Sequence, residues 1–417
     1  MTNTTEQVIT TPITSSKDEI KKNVSSINDI TFELVQSLKP NVKMLDTDDT
    51  LSLYCYSSCN DVDNEYVKFC RGLIFDNNNK LVVKAYSYTP EYTADEYDKV
   101  KEDLEDIWNK CSFFDAYEGT VIRVFWFGDK WYVATHRRLD AFKSKWASRK
   151  TFGELFFSGL KLEYETKPSF ASRLNFDGEE LGEFEHAFYE SLNKEHQYFF
   201  LVRPCDDNRV VSNYPDEDYV LHLGTFRNDE EIDEDIGLKK PKKHEFPTLD
   251  DLFYYVENAD INEIQGVVVF TPNNQVKILN RDYKHYSDIR GNEPSIKFRY
   301  LQVRMDRFAR KDLMDLYPSY VPIFDKYENI IYDIANNIKN TYVERFIQKK
   351  FVKISQEEYL IMKKCHEWHK QDRNNNRLNL QIVIDFVNQQ EPTLLNKIIR
   401  RYINEERHAA LHTEQQE

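Results

Sequence analysis

Between about Ile27 and Leu279, apolar residues come in short β-branched and aromatic runs divided by turn residues, the pattern of strands. In "KFCRGLIFDNNNKLVVKAYSYTPEY" two such runs flank "DNNNK", whose Asn and Asp tolerate the left-handed conformation that a hairpin turn needs. In "TVIRVFWFGDKWYVATH" Gly128-Asp129 divides two more. Further strands are expected at "HQYFFLVRP", "YVLHLGTF", "IQGVVVFTP" and "NQVKILN". Thr248 and Asp251 stand in capping-box spacing before a helix at "TLDDLFYYVENA". The stretch 228–247 passes from acidic to basic without apolar periodicity and reads as a solvated connector. From about Pro294 the period changes to helical: Phe324, Tyr327, Ile331, Ile334, Ile338 and Phe346 share one face, Ser355 and Glu358 open another helix, and "PTLLNKIIRRYI" repeats the pattern.

The expected fold class is therefore α+β, an antiparallel-sheet unit followed by an all-helical C-terminal one. The boundaries are a disordered tail over 1–26, the sheet unit over 27–292, the helical unit over 293–410 and a short tail over 411–417. A chain of 417 residues, 40% hydrophobic, has the apolar content for two or three domains. The net charge of −15 argues against coating nucleic acid by bulk attraction and leaves room for a local basic surface. No apolar run approaches the roughly 20 residues of a membrane span, and the first residues lack the blocks of a secretory signal, so the expected location is cytoplasmic. Six cysteines form no paired CxxC framework and read as reduced thiols. Cys365, His366 and His369 in "CHEWH" lack a second ligand pair at zinc-finger spacing, so no metal is expected.

One segment departs from the acidic background. "THRRLDAFKSKWASRK" gathers Arg137, Arg138, Lys143, Lys145, Arg149 and Lys150 around Phe142 and Trp146, combining phosphate attraction with stacking groups suited to RNA. The plainer reading is an amphipathic helix with Leu139, Phe142 and Trp146 on the core.

The order "CRGLIFD", "AYEGT", "LVRPCDDNRVV", "IQGVVV", "QVKIL" over roughly residues 65–290 resembles the RNA ligase branch of the covalent nucleotidyltransferases, especially the phage RNA ligase 1-like group. The resemblance implies an ATP-grasp-like RNA ligase domain and a separate helical C-terminal domain. It also implies a lysine that attacks the α-phosphate of ATP or GTP, with divalent metal offsetting charge on the phosphates. On this resemblance Arg71, Gly72, Glu118, Gly119, Arg209, Gly266 and Lys277 are nucleotide-binding candidates, and Pro204 and Asn208 also fit. The plainer reading of these cations is surface ion pairing.

The chemical positions have changed. Ala116 stands where the family has its nucleophilic lysine, Phe200 where a strand has Glu, Gln265 in place of a metal-associated Glu, and Leu279 in place of the second lysine of K-x-K. A methyl group cannot form a phosphoramide. The expected function is a catalytically inactive, RNA-ligase-like protein that binds RNA or a nucleotide, an RNA 5′ end above all, with the mRNA cap as its sharpest form. No cofactor is required on this reading. The alternatives are an active ATP-dependent RNA ligase with an atypical nucleophile, which would need Mg or Mn, and a protein-interaction scaffold working through the helical domain. Composition rich in Asn, Ile, Lys, Tyr and Asp, together with likeness to ligase-like proteins, points to a large DNA virus as source.

Overall fold

The computed structural model describes residues 30–414 apart from 175, 179, 206–208 and 229, with side chains described through 409. The expected 1–26 tail and Asn208 lie outside the described residues. The last helix, Pro392–Glu414, runs into the stretch read as a C-terminal tail.

The chain is α+β, with antiparallel sheets followed by a helical C-terminal region. The first sheet is a four-stranded meander of β1 (Val42–Thr47), β2 (Leu51–Tyr56), β3 (Arg71–Asp76) and β4 (Leu81–Val83). The turn between β3 and β4 places Asn79 at φ 62°, the left-handed geometry expected of "DNNNK". The next strands are β5 (Glu91–Tyr92), β6 (Ser112–Ala116), β7 (Thr120–Phe127) and β8 (Lys130–Ala134). They are followed by β9 (Gln197–Arg203), β10 (Tyr219–Arg227), β11 (Glu230–Ile232), β12 (Lys243–His244), β13 (Gly266–Phe270) and β14 (Gln275–Leu279). These form two five-stranded sheets, β11-β10-β9-β7-β8 and β12-β6-β13-β14-β5, in which only the short β14–β5 pairing is parallel.

Each five-stranded sheet buries one face under helices, because its strands alternate. Phe113, Val267, Val269, Val276 and Ile278 pack with Leu252, Phe253 and Val256 of the helix Leu249–Glu257. Thr248 caps that helix, and Asp251 returns the bond to its backbone, as the spacing requires. On the other sheet Ile122, Val124, Tyr198, Phe200 and Val202 meet the helices Phe152–Thr166 and Leu181–Glu190. The opposite faces of both sheets are left to line a cleft.

Two local expectations differ from the structure. The 228–247 connector contains the edge strands β11 and β12, one on each five-stranded sheet, and so bridges them. The 137–150 segment holds a single turn of 3-10 helix, Ala141–Lys143, with Ala147 at φ 54°, a conformation no helix accommodates. The C-terminal helices close around their own core, from Ile296 and Leu313 through Ile334 to Val383 and Ile399.

Candidate functional site

The cleft has a volume of about 1360 Å³. Phe114 and Ala116 of β6, Val268 and Phe270 of β13 and Lys277 of β14 face it from one sheet, in alternation with the buried residues above. Val121, Leu201 and Leu223 face it from the other, and Tyr56 and Arg71 reach it from the four-stranded sheet. The bridging segment closes one side with Glu231, Asp233, Lys240 and Lys243.

Three positions singled out in the sequence meet on neighbouring strands. Ala116 pairs with Gly266, the Gln265 backbone N–H donates to the Ala116 carbonyl at 2.7 Å, and the Lys277 ammonium donates to Gln265 Oε1 at 3.0 Å. Lys277 also lies 3.6 Å from Glu91. The Gln265 amide accepts the Lys277 hydrogen bond without bringing a negative charge against that ammonium. Arg71 lines the cleft, its one described side-chain hydrogen bond a long one of 3.4 Å to the Ser87 carbonyl, so its guanidinium keeps donors for an incoming anion.

Other candidates fall elsewhere. Phe200 does not reach the cleft: a strand points successive side chains to opposite faces, and Phe200 lies fully buried beside Phe156 and Phe188. Its neighbour Leu201 is the one that faces the cavity, so β9 presents no carboxylate there at either register. Leu279 is buried under Val211 and Tyr283, where an ammonium would be desolvated. Glu118 is an internal anchor. Its oxygens accept the backbone N–H groups of Val210, Val211 and Ser212 at 2.9, 2.5 and 2.8 Å and the Tyr283 hydroxyl at 2.9 Å. Arg209 donates to the carbonyls of Val211 and Leu316 and lies against the Tyr317 ring, tying this loop to the helical region. Gly72 and Gly266 are required by packing: at φ +78° and +148°, their missing Cβ atoms make room for the backbones of His136 and Ile278. Gly119 lines the cavity directly.

The basic segment is displayed outside the cleft. Arg137, Arg138, Lys143, Lys145, Arg149 and Lys150 are exposed, as is Phe142, while some of their charge is engaged: Arg138 with Asp46 at 3.4 Å, Lys143 with Asp140 and Lys150 with Asp218, both at 3.3 Å. Trp146 offers little of its ring, being half-buried under the Arg290 guanidinium at 5.0 Å. Arg137 contributes positive potential at Tyr56 on the cleft wall.

Two further residues carry weight that no motif signals. Asp115, beside Ala116, accepts from the Tyr255 hydroxyl at 2.8 Å and lies 2.8 Å from His244 Nε2, so a buried carboxylate fastens the bridging segment to the sheet. Arg123 is wholly buried and donates to the carbonyls of Gly72 and Thr135 at 2.6 and 2.7 Å, with its pKa lowered to about 9 by burial. It joins the first sheet to the second. The only sequence signal for either is a charge inside a β-type run. Among the described residues no cluster of His, Cys, Asp or Glu is arranged to hold a metal ion, and no helix is long and apolar enough to cross a membrane.

The structure thus defines an α+β protein with a deep, cation-bearing cleft between two antiparallel sheets. No family model matches the chain. It is similar to proteins described as immediate-early protein ICP-46 homologs. The one from invertebrate iridescent virus 6 is 26% identical, over 97% of this chain and 92% of the relative. The one from invertebrate iridescent virus 3 is 28% identical, over 66% of this chain and 60% of the relative. These relatives are viral, as was expected for the source. Among solved structures, an archaeal ATP-dependent RNA ligase aligns over 68% of this chain and 69% of its own with a TM-score of 0.35 and 10% identity.

Proposed function

We propose that this chain binds an RNA 5′ end or a nucleotide in the cleft and does not transfer it. The observation that carries the reading is the meeting of Ala116, Gln265 and Lys277 in the cleft where the sequence motifs predict chemistry, with an ammonium group present and a methyl group at the position of the expected nucleophile. Arg71, Lys240 and Lys243 supply further cations, and Tyr56, Phe114 and Phe270 supply ring faces. The volume exceeds the roughly 300–1000 Å³ of small-molecule sites, which suits a chain end or a capped end better than a single nucleotide. The 137–150 cations stand ready to track the adjoining strand.

Fluorescence anisotropy with capped, triphosphorylated and 5′-hydroxyl oligonucleotides tests this. The phosphorylated or capped ends should bind more tightly, and Lys277→Ala or Arg71→Ala should remove that preference by about tenfold, the loss of one charge-assisted contact. Equal affinity for all three ends would rule out terminal recognition.

A further inference from the structure

A second surface of uncommon character lies in the helical region. The long helix Val321–Tyr342 ends in a π-helical turn, Val343–Ile347, whose Phe346 ring stacks on His366 at 4.0 Å. His366 belongs to the helix Gln356–Gln371. The chain then turns out through Lys349, held at φ 61°, a left-handed conformation that favours glycine. Beyond it Phe351 is 96% exposed and Ile347 is 65% exposed. Lys349, Lys350 and Lys353 are exposed on this turn, and Lys370 and Arg373 are exposed at and just beyond the end of the adjoining helix. The acids on the π-helical turn, on the helix Gln356–Gln371 and just beyond it are Glu344, Glu357, Glu358, Glu367 and Asp372; Glu357 and Glu358, in the first turn of that helix, pair with Lys397 and Arg401. Glu367 pairs with Lys363, and Asp372 accepts from Asn374 and Asn375. None of the five cations has an ion pair among the described residues. The Phe346–His366 stack joins the two elements, and burial first, then the positive charges of Lys370, Arg373 and Lys349, hold the His366 pKa below its ordinary value.

Uncompensated cations around an exposed ring, in a chain of net charge −15, call for an anionic partner with planar groups. We infer that the 347–353 turn and the end of the helix Gln356–Gln371 form a second binding surface for single-stranded nucleic acid, independent of the cleft. Phosphates recurring along a strand match cations spread over two elements, and unpaired bases can stack on a ring open on both sides. The partner is read from charge and ring geometry alone and does not depend on what the cleft holds.

The test uses the full chain and a 5′-hydroxyl single-stranded oligonucleotide of about 15 nucleotides, which lacks a terminal phosphate. In anisotropy titrations across a salt series, the triple change Lys349→Ala, Lys350→Ala, Lys353→Ala should reduce the log–log salt slope by about 2, at roughly 0.7 per lost phosphate contact. Phe351→Ala should weaken binding at least about fivefold at constant slope, through lost stacking. The triple variant should keep the parent's preference for phosphorylated over 5′-hydroxyl ends while losing salt slope, so failure here and failure of end recognition are told apart. The changed side chains are exposed, and circular dichroism would confirm that each variant is folded. A triple variant and a Phe351→Ala variant that bind as the parent does would overturn the inference. So would a parent that ignores the oligonucleotide at low salt, or one that sediments with phosphatidylserine vesicles and ignores the oligonucleotide.

Discussion

Removing the Glu118 carboxylate would orphan three backbone N–H groups and the Tyr283 hydroxyl in a buried site. Glu118→Ala should therefore destabilise the fold by at least about 3 kcal/mol in urea unfolding, with Glu118→Gln recovering part of the loss. Its motif position made it a ligand-binding candidate, and the Glu-Gly pair in the sequence is the same for a ligand contact and for a loop anchor. His222 makes a different test. Fully buried with only Thr225 as a side-chain partner, it has its pKa lowered by burial to about 4 from 6.5. The unfolded chain therefore takes up a proton first. The stability from neutral His222 is whole above pH 6.5 and is lost as the pH falls through about 4, on the order of 3 kcal/mol at most. Thermal unfolding at pH 7 and pH 4 should show a smaller drop for His222→Gln than for the parent.

At the scale of elements, the bridging segment closes one side of the cleft. It is held by β11 on one sheet, by the two residues of β12 on the other, and by His244 against Asp115. Truncation at His244→Ala should speed amide hydrogen exchange over residues 238–244 at least about tenfold, while β13 stays protected. Unchanged exchange would show that backbone pairing alone holds it. Strands of three and two residues are too short to display alternation, so this segment looked solvated in the sequence. The long runs did reveal themselves: β7 and β8 around Gly128 and the capped helix Leu249–Glu257 follow directly from period and turn chemistry. Phe200 was misplaced for the opposite reason. A continuous apolar strand such as "YFFLV" is buried on both faces, so its pattern does not say which residue faces the cavity. Trp146 likewise looked like a stacking platform, because its cover, Arg290, is far along the chain.

For the molecule as a whole, local basic sites stand against an acidic background. A net charge of −15 opposes general adhesion to nucleic acid, so the proposed binding rests on places where cations are concentrated. The helical region keeps its own core and is tied to the sheets through Arg209 at Tyr317 and through Arg290, which donates to the Tyr317 hydroxyl at 2.9 Å. The central claim is binding without covalent transfer, and it can be read from one reaction split in two. The protein is incubated with Mg or Mn and α-labelled ATP or GTP, or with 5′-triphosphorylated RNA carrying a label, then run on native and denaturing gels. Label should travel with the native protein and leave it on denaturation. Label retained by the denatured chain, or label absent from both gels, would contradict the account.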